Sequence, residues 1–339
     1  MTPDVTVVVP VHDGAAFLAE TLDSVLAQRG ATFEVVVVDD GSKDATPEVL
    51  ARYAGAVRVV RQECRGVSAA RNRGAAEGRG RVLAFLDQDD AWEPGLLAAL
   101  LPELDRHAEW SLVHADSWVV DARGRAHGRR GRFLRSRTGF GFAELCLRNA
   151  VPIESMLVRR ASFERAGGFD PELRYLEDWD LALRLSRTGS IGFVDRPLAR
   201  YRVHARNLSH ALEPMLVEEL DLHARVRTRC APLSVAERAA LALADVRVAL
   251  DLAWQALRRG DLPAARTWRA RAAELGRAGG ARAFAARRAR IALLAVLLEL
   301  DARGLDPVGL GDLARALLPR RRLYGLLPND LECVERIEP

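Results

Sequence analysis

The stretch Glu34-Val-Val-Val-Val-Asp-Asp-Gly-Ser42 decides the fold class: four consecutive valines run into two adjacent carboxylates. An unbroken β-branched run marks a strand covered on both faces, as in a parallel sheet packed between helices. Carboxylates leaving such a strand are costly to bury unless hydrogen-bond donors, a ligand or a metal meet them. Open α/β sheets bind ligands past the carboxyl ends of their strands. Asp39 and Asp40 are therefore expected in ligand contact, while Ser42 or Asp44 closes the turn and caps the helix that Thr46-Pro47 begins.

On either side, Val5–Val9, Val57–Val60 and Val82–Leu86 repeat the strand pattern, and Ala16–Gln28 and Thr46–Tyr53 read as intervening helices. This alternation, which continues to about residue 212, predicts a mainly parallel sheet flanked by helices. Ala122–Gly141, rich in arginine and glycine, reads as a long mobile loop. Beyond residue 213 only helical spacing remains, over Pro214–Thr228, Val235–Arg258, Pro263–Leu275, Ala281–Arg303 and Leu310–Leu318. Trp254-Gln-Ala-Leu-Arg-Arg-Gly-Asp-Leu-Pro-Ala-Ala-Arg266 resembles one tetratricopeptide-like helix–turn–helix, a single copy that makes no repeat array. The expected organisation is an α/β domain over residues 1–212 and an all-helical appendage over 213–339.

Composition narrows the class. With 339 residues, 49% of them hydrophobic, the chain is that of a soluble globular protein of two domains. The net charge of +4 says little about partners, because Lys43 is the only lysine and the arginine excess fits a coding bias. No nucleic acid is expected. Cys64, Cys146, Cys230 and Cys333 are scattered and form no C-x-x-C pair, which points to a reducing cytosol. Met1–Pro10 shows no signal-peptide pattern, and the longest apolar run, Ile291–Leu298, is about half of what crosses a bilayer.

Six segments carry chemistry. Pro10-Val-His-Asp-Gly14 follows the first strand, and the Asp39-Asp40 pair follows the second. In Arg65-Gly-Val-Ser-Ala-Ala-Arg-Asn-Arg-Gly74, the glycines permit close backbone approach and Ser68 can cap a helix carrying Arg71, an arrangement suited to phosphate oxygens. In Phe85-Leu-Asp-Gln-Asp-Asp90, Asp87 and Asp89 share one face if extended, and hard oxygens so placed suit Mg²⁺ or Mn²⁺ on a diphosphate. Glu177-Asp-Trp-Asp180 opens a helix, where a carboxylate could take a proton from a sugar hydroxyl. Tyr201-Arg-Val-His204 adds a histidine that gains interest from the acidic metal ligands already proposed. A dinucleotide-binding G-x-G-x-x-G is absent after the first strand, and Pro10–Gly14 is not the basic glycine-rich loop of a pyrophosphorylase.

The order of these motifs resembles the family 2 glycosyltransferases of GT-A fold. The match rests on Val7–Val11, Val38–Ser42, Gly66–Asn72, Asp87–Asp89, Gly167–Asp170, Glu177–Asp180, and Tyr201–His204 with Asn207 and Ser209. The resemblance implies an inverting enzyme that moves a sugar from a nucleotide-diphosphate sugar, a UDP-sugar foremost, to a hydroxyl of a glycan, lipid-linked or other acceptor, as in cell-surface polysaccharide or glycolipid synthesis. Pro10, Val11, Asp13, Asp39, Asp40 and Arg71 would hold the base and diphosphate side of the donor. Asp87 with Gln88 would reach the ribose or sugar, and Asp89 the metal. Asp178 would be the catalytic base, with Glu177 placing a substrate, and His204 a further metal or diphosphate contact. His12, where the family more often has an aromatic ring, weakens stacking on the base, and Asp90 leaves open which carboxylate meets the metal. A non-catalytic scaffold is the reading from another class, with the acids of both segments against it.

Ten arginines between Arg258 and Arg290, next to Ile291–Leu298, suit either an anionic membrane surface or, preferably, a solvated helix face packed on the catalytic domain. The expected location is the cytoplasm, with any peripheral contact at the inner face of the cell membrane, and a homo-oligomer is compatible with the chain.

Overall fold

The computed structural model describes residues 2–131, 137–205, 207 and 211–278. Ser209, Cys333, Ile291–Leu298 and the expected helices at Ala281–Arg303 and Leu310–Leu318 lie outside them. The first elements are β1 (Val5–Val11), α1 (Leu18–Leu26), β2 (Phe33–Asp39), α2 (Thr46–Ala51), β3 (Arg58–Arg61), α3 (Val67–Glu77) and β4 (Val82–Phe85). Next come β5 (Ala91–Trp92), α4 (Leu96–Arg106), β6 (Trp110–Val120), β7 (Ala126–Arg129) and the short α5 (Phe142–Leu145). A 3-10 turn at Ile153–Ser155 leads to β8 (Met156–Arg159), α6 (Arg160–Ala166), α7 (Glu177–Leu185) and β9 (Ser190–Arg202). Among the described residues three helices follow: α8 (Leu212–Arg229), α9 (Val235–Arg258) and α10 (Leu262–Ala278).

Among the described residues nine strands form one mixed sheet in the order β3-β2-β1-β4-β8-β6-β9-β5, with β7 paired on β6. The β3-β2-β1-β4 half is parallel, β8 is antiparallel to both β4 and β6, and β9 is parallel to β6. The valines of β2 show why the run is continuous. Val35 and Val37 join a cluster with Leu18 and Leu22 of α1 and Leu96 and Leu100 of α4. Val36 and Val38 meet Ala70 of α3 on the opposite face. Each such side chain contributes roughly 1.5–3 kcal/mol by leaving water. The polar exception in β1, Thr6, donates to Glu34 Oε1 at 2.8 Å and accepts from the Gly80 N–H at 2.8 Å.

Two expectations are corrected. The run Val57–Val60 becomes the edge strand β3, with Val59 40% exposed rather than covered on both faces. Within Ala122–Gly141, β7 pairs antiparallel with β6, so part of the expected loop is a hairpin. Its turn is built by Asp121 Oδ1, which accepts the N–H groups of Arg123 and Arg125 at 2.9 Å each. Residues 132–136 of that stretch are outside the described set.

Contacts divide the described chain into two compact units. The first holds the sheet, up to Gly141 and over Ala150–Asn207; the second holds Phe142–Asn149 with α8, α9 and α10. The excursion of residues 142–149 has no counterpart in a single boundary at 212. In the second unit, α9 starts on a capping box between Ser234 and Glu237. It turns into α10 at Gly260, whose φ of 75° requires glycine, and Asp261 Oδ1 accepts the Ala264 N–H at 3.0 Å to start the next helix. Among the described residues no helix is long and apolar enough to cross a membrane.

Candidate active site

The strand order reverses between β1 and β4, and there the carboxyl ends of β1, β2 and β4 deliver their loops side by side. Val11 pairs in register with Asp39, and Pro10 with Val38. Pro10 and Val11 are buried. Asp39 is 0% exposed; its Oδ1 accepts the Ser42 N–H at 2.9 Å and its Oδ2 accepts Arg61 Nε at 3.0 Å.

The first two loops are laced together. Asp13 sits at φ 51°, a left-handed conformation that aspartate tolerates better than most residues. Its N–H donates to Ser42 Oγ at 3.0 Å, and its Oδ1 accepts the N–H groups of Lys43 at 2.7 Å and Asp44 at 3.2 Å. The Lys43 N–H in particular holds the Asp13 carboxyl below the usual carboxylate range. Asp44 Oδ1 accepts the Thr46 N–H at 2.9 Å, but the cap position of α2 falls on Ala45 rather than on Ser42 or Asp44 as expected.

Asp40 faces the other way. Its Oδ1 accepts Gln62 Nε2 at 2.7 Å and the Arg65 N–H at 2.8 Å, and its Oδ2 accepts the Gly66 N–H at 2.8 Å. The carboxylate thus occupies the start of α3, where helix-end N–H groups and the dipole favour an anion. Gly66, not Ser68, precedes the helix, and the Ser68 Oγ is buried without a hydrogen-bond partner. The glycines differ too: Gly66 is required by its φ of 89°, whereas a Cβ at Gly74 would lie 2.3 Å from Val8 Cγ1.

Beyond β4 the chain is a turn closed by the Asp90 N–H on the Asp87 carbonyl at 3.2 Å, not the extended segment assumed for Asp87 and Asp89. Gln88 pairs with the backbone of His12 in both directions, at 2.8 and 3.0 Å. Asp90 is 3% exposed, and its Oδ1 accepts the Arg202 N–H at 2.8 Å. Burial, then the neighbouring Asp89, pushes its carboxyl well above the usual range. Asp87 and Asp89 remain accessible, with side chains 32% and 20% exposed.

One arginine gathers the rest. Arg71, 2% exposed, donates through Nη2 to Asp87 Oδ1 and through Nη1 to Glu177 Oε1, both at 2.6 Å. Its guanidinium lies over the Phe169 ring, 5.2 Å from the centroid. Glu177 is buried, which pushes its carboxyl up against the opposing pull of Arg71. Of the acids in the first turn of α7, Asp180 is also buried and held by Arg184 Nε at 2.9 Å. Asp178 alone among these three is not buried, and its Oδ1 accepts the Trp179 N–H at 2.6 Å. Leu181, Leu183 and Leu185 of this helix are fully covered.

His204 completes the set. Its Nε2 lies 2.8 Å from Asp89 Oδ2, and its ring stacks on Phe17 at 4.9 Å. Among the described residues no group of three or more potential ligands forms a protein-only metal cage. Asp89 and His204 supply one oxygen and one nitrogen donor, a set that fits a divalent ion completed by diphosphate oxygens and water.

The Glycosyl transferase family 2 model matches residues 6–166. Over 235 residues the sequence is 33% identical to the uncharacterized glycosyltransferase EpsJ of Bacillus subtilis, a match covering 65% of this chain and 67% of that protein. The chain belongs to glycosyl transferase family 2. This glycosyltransferase is also 43% identical over 195 residues to the succinoglycan biosynthesis protein ExoO of Rhizobium meliloti, spanning 54% of its own length and about half, 53%, of that relative. Its fold matches solved GT-A structures. S. aureus TarS in complex with UDP-GlcNAc superposes with TM-score 0.65 at 17% identity, covering 93% of this chain and 92% of that one. The mannosyltransferase PcManGT of Pyrobaculum calidifontis, in complex with GDP-Man and Mn²⁺, gives 0.59 at 22% identity, covering 89% and 88%. The family match ends before Glu177, so the acids of α7 and His204 rest on geometry alone.

Sequence reasoning gave no role of their own to several residues that build this glycosyltransferase's site, Arg202 and Asn207 of the matched motif among them. Arg202 is 2% exposed; its Nε donates to the Asp89 carbonyl at 2.9 Å, its Nη2 meets Glu20 at 2.7 Å, and its head covers Phe17. Asn207 secures the turn before it ends, accepting the His204 N–H at 2.5 Å and donating to the Arg202 carbonyl at 2.9 Å. The place of Arg202 inside the Tyr201–His204 motif, where it ends β9, was the available signal; nothing in the sequence flags Phe17 or Glu20.

Proposed function

We propose that the enzyme transfers a sugar from a nucleotide-diphosphate sugar, a UDP-sugar foremost, to an acceptor hydroxyl in one inverting displacement. The observation that carries this reading is the bridge through Arg71: it ties Asp87, on the loop after β4, to Glu177, which immediately precedes the accessible Asp178. Donor side and acceptor side are thereby held at one point.

In this account the nucleoside lies on the loops that leave β1 and β2, which Pro10, Val11 and the buried Asp39 support from beneath, and Asp87 contacts the ribose or sugar. Asp13, Asp40 and Gln88, placed among the donor contacts by sequence, act by shaping the loops, since their side chains already bind backbone groups. Arg71, buried between two carboxylates, acts by fixing Asp87 and Glu177. Asp178 takes the acceptor proton as the hydroxyl oxygen bonds to the anomeric carbon; the bond to the diphosphate breaks and its electron pair leaves with the nucleotide. A Mg²⁺ or Mn²⁺ ion bound at Asp89 and His204 would offset the charge on that leaving group. The Mn²⁺ in the PcManGT complex and the UDP-GlcNAc in the TarS complex support this donor class. The ExoO match supports a saccharide acceptor in surface polysaccharide synthesis.

The test is a panel of UDP-, GDP- and TDP-sugars screened for Mn²⁺-dependent thermal stabilisation, followed by NMR of the product's anomeric proton. Inverted configuration is expected from the donor that stabilises most. Retention would overturn the single displacement, and a panel without any metal-dependent shift would overturn the donor class.

A further inference from the structure

Two consecutive residues of α3 grip the two ends of one segment of chain. Arg71 holds Glu177 at 2.6 Å, and Asn72 holds Phe169. The second grip is reciprocal: Asn72 Nδ2 donates to the Phe169 carbonyl at 2.8 Å, and the Phe169 N–H donates to Asn72 Oδ1 at 2.9 Å. A side-chain amide that satisfies both backbone groups of one residue fixes its position and orientation together. The approach is so close that a Cβ at Gly168 would stand 2.7 Å from Asn72 Oδ1, where φ is 72°. Phe169 is locked from its other side as well: its ring lies under the Arg71 guanidinium and meets Phe85, the last residue of β4, edge-on at 4.8 Å.

We infer that Asn72 is a positioning residue for the transfer step, holding the strap from Phe169 to Glu177 so that Asp178 stands in reach of the acceptor. This inference rests on the proposed role of Asp178 as base. It assigns Asn72 a function separate from donor binding: the amide contacts the strap, not the loops after β1, β2 and β4 that form the nucleotide side. A base displaced by about 1 Å loses on the order of 100-fold in rate, so the effect should appear in turnover.

The experiment compares wild type, Asn72→Ala, Asn72→Asp and Asp178→Asn, using the sugar nucleotide of the panel that wild type turns over and its nucleoside diphosphate with Mn²⁺ as binding probe. Asn72→Ala should lower kcat at least tenfold, leave donor KM and nucleotide Kd within twofold, and speed amide hydrogen exchange over residues 169–178. Asn72→Asp keeps the acceptor for the Phe169 N–H but sets a carboxylate against the Phe169 carbonyl, so it should show the same split and serves if Asn72→Ala folds poorly. Faster exchange with unchanged kcat would overturn the inference, as would parallel losses of kcat and nucleotide affinity. A fully active Asp178→Asn enzyme would instead sink the base assignment beneath it.

Discussion

His204 Nε2 stands 2.8 Å from Asp89 Oδ2, although 115 residues separate them in the chain. A carboxylate and an imidazole so placed either simply hydrogen-bond to each other or serve together as ligands of a cation, and mutation separates these readings. Asp89→Asn and His204→Gln should each weaken Mn²⁺-dependent nucleotide binding about tenfold or more, while binding without metal changes little. Calorimetric titration with and without Mn²⁺ checks this; equal effects in both conditions would count against a metal role.

Arg71 is buried between two carboxylates, and its removal leaves them uncompensated. Breaking a buried pair from one side costs about 3–5 kcal/mol. Arg71→Met should therefore lose that much in denaturant unfolding, and adding Glu177→Gln should recover part of it. A double variant no more stable than Arg71→Met would show that the Arg71–Glu177 contact carries none of the cost.

Much of the parallel half of the fold was legible in the sequence. The valines of β2 are apolar on both faces because α1 and α4 cover one side and α3 the other. Val57–Val60 has the same composition but ends at the sheet edge, a fact set by strand order that local composition cannot carry. The acids at 39–40, 87–90 and 177–180 were found from their place after strands or at a helix start. Their partners were not, because Asp40 is met by a helix start 26 residues on and Arg71 by a glutamate 106 residues on. Burial then sorts Asp90 from Asp89, and Asp180 from Asp178, among neighbours that read alike.

Gly74 lets α3 approach β1 closely, with Val8 Cγ1 only 2.3 Å from where a Cβ would sit. Gly74→Ala should cost about 1–3 kcal/mol by overpacking, despite alanine's better helix propensity. Chemical denaturation measures it; a neutral or stabilising effect would contradict the packing account.

His114 is fully buried in β6, and burial lowers its pKa from 6.5 to about 4. Below the unfolded value of 6.5 the unfolded chain binds a proton that the folded chain does not, so stability falls as pH drops from 6.5 towards 4. At about 1.4 kcal/mol per pH unit the penalty reaches roughly 3 kcal/mol. Unfolding curves of wild type and His114→Phe should diverge over that window, with the variant gaining relative stability as pH falls. Parallel curves would contradict the assignment.

The central claim is that Asp178 is the base of a sugar transfer whose donor site is assembled without it. The direct measurement is Asp178→Asn, assayed for transfer and titrated with nucleotide in one preparation. Transfer should fall by roughly 10²–10⁴-fold, the usual worth of a positioned base, while nucleotide affinity stays within twofold of wild type. Transfer at the wild-type rate, or a loss of nucleotide binding matching the loss of transfer, would contradict the account.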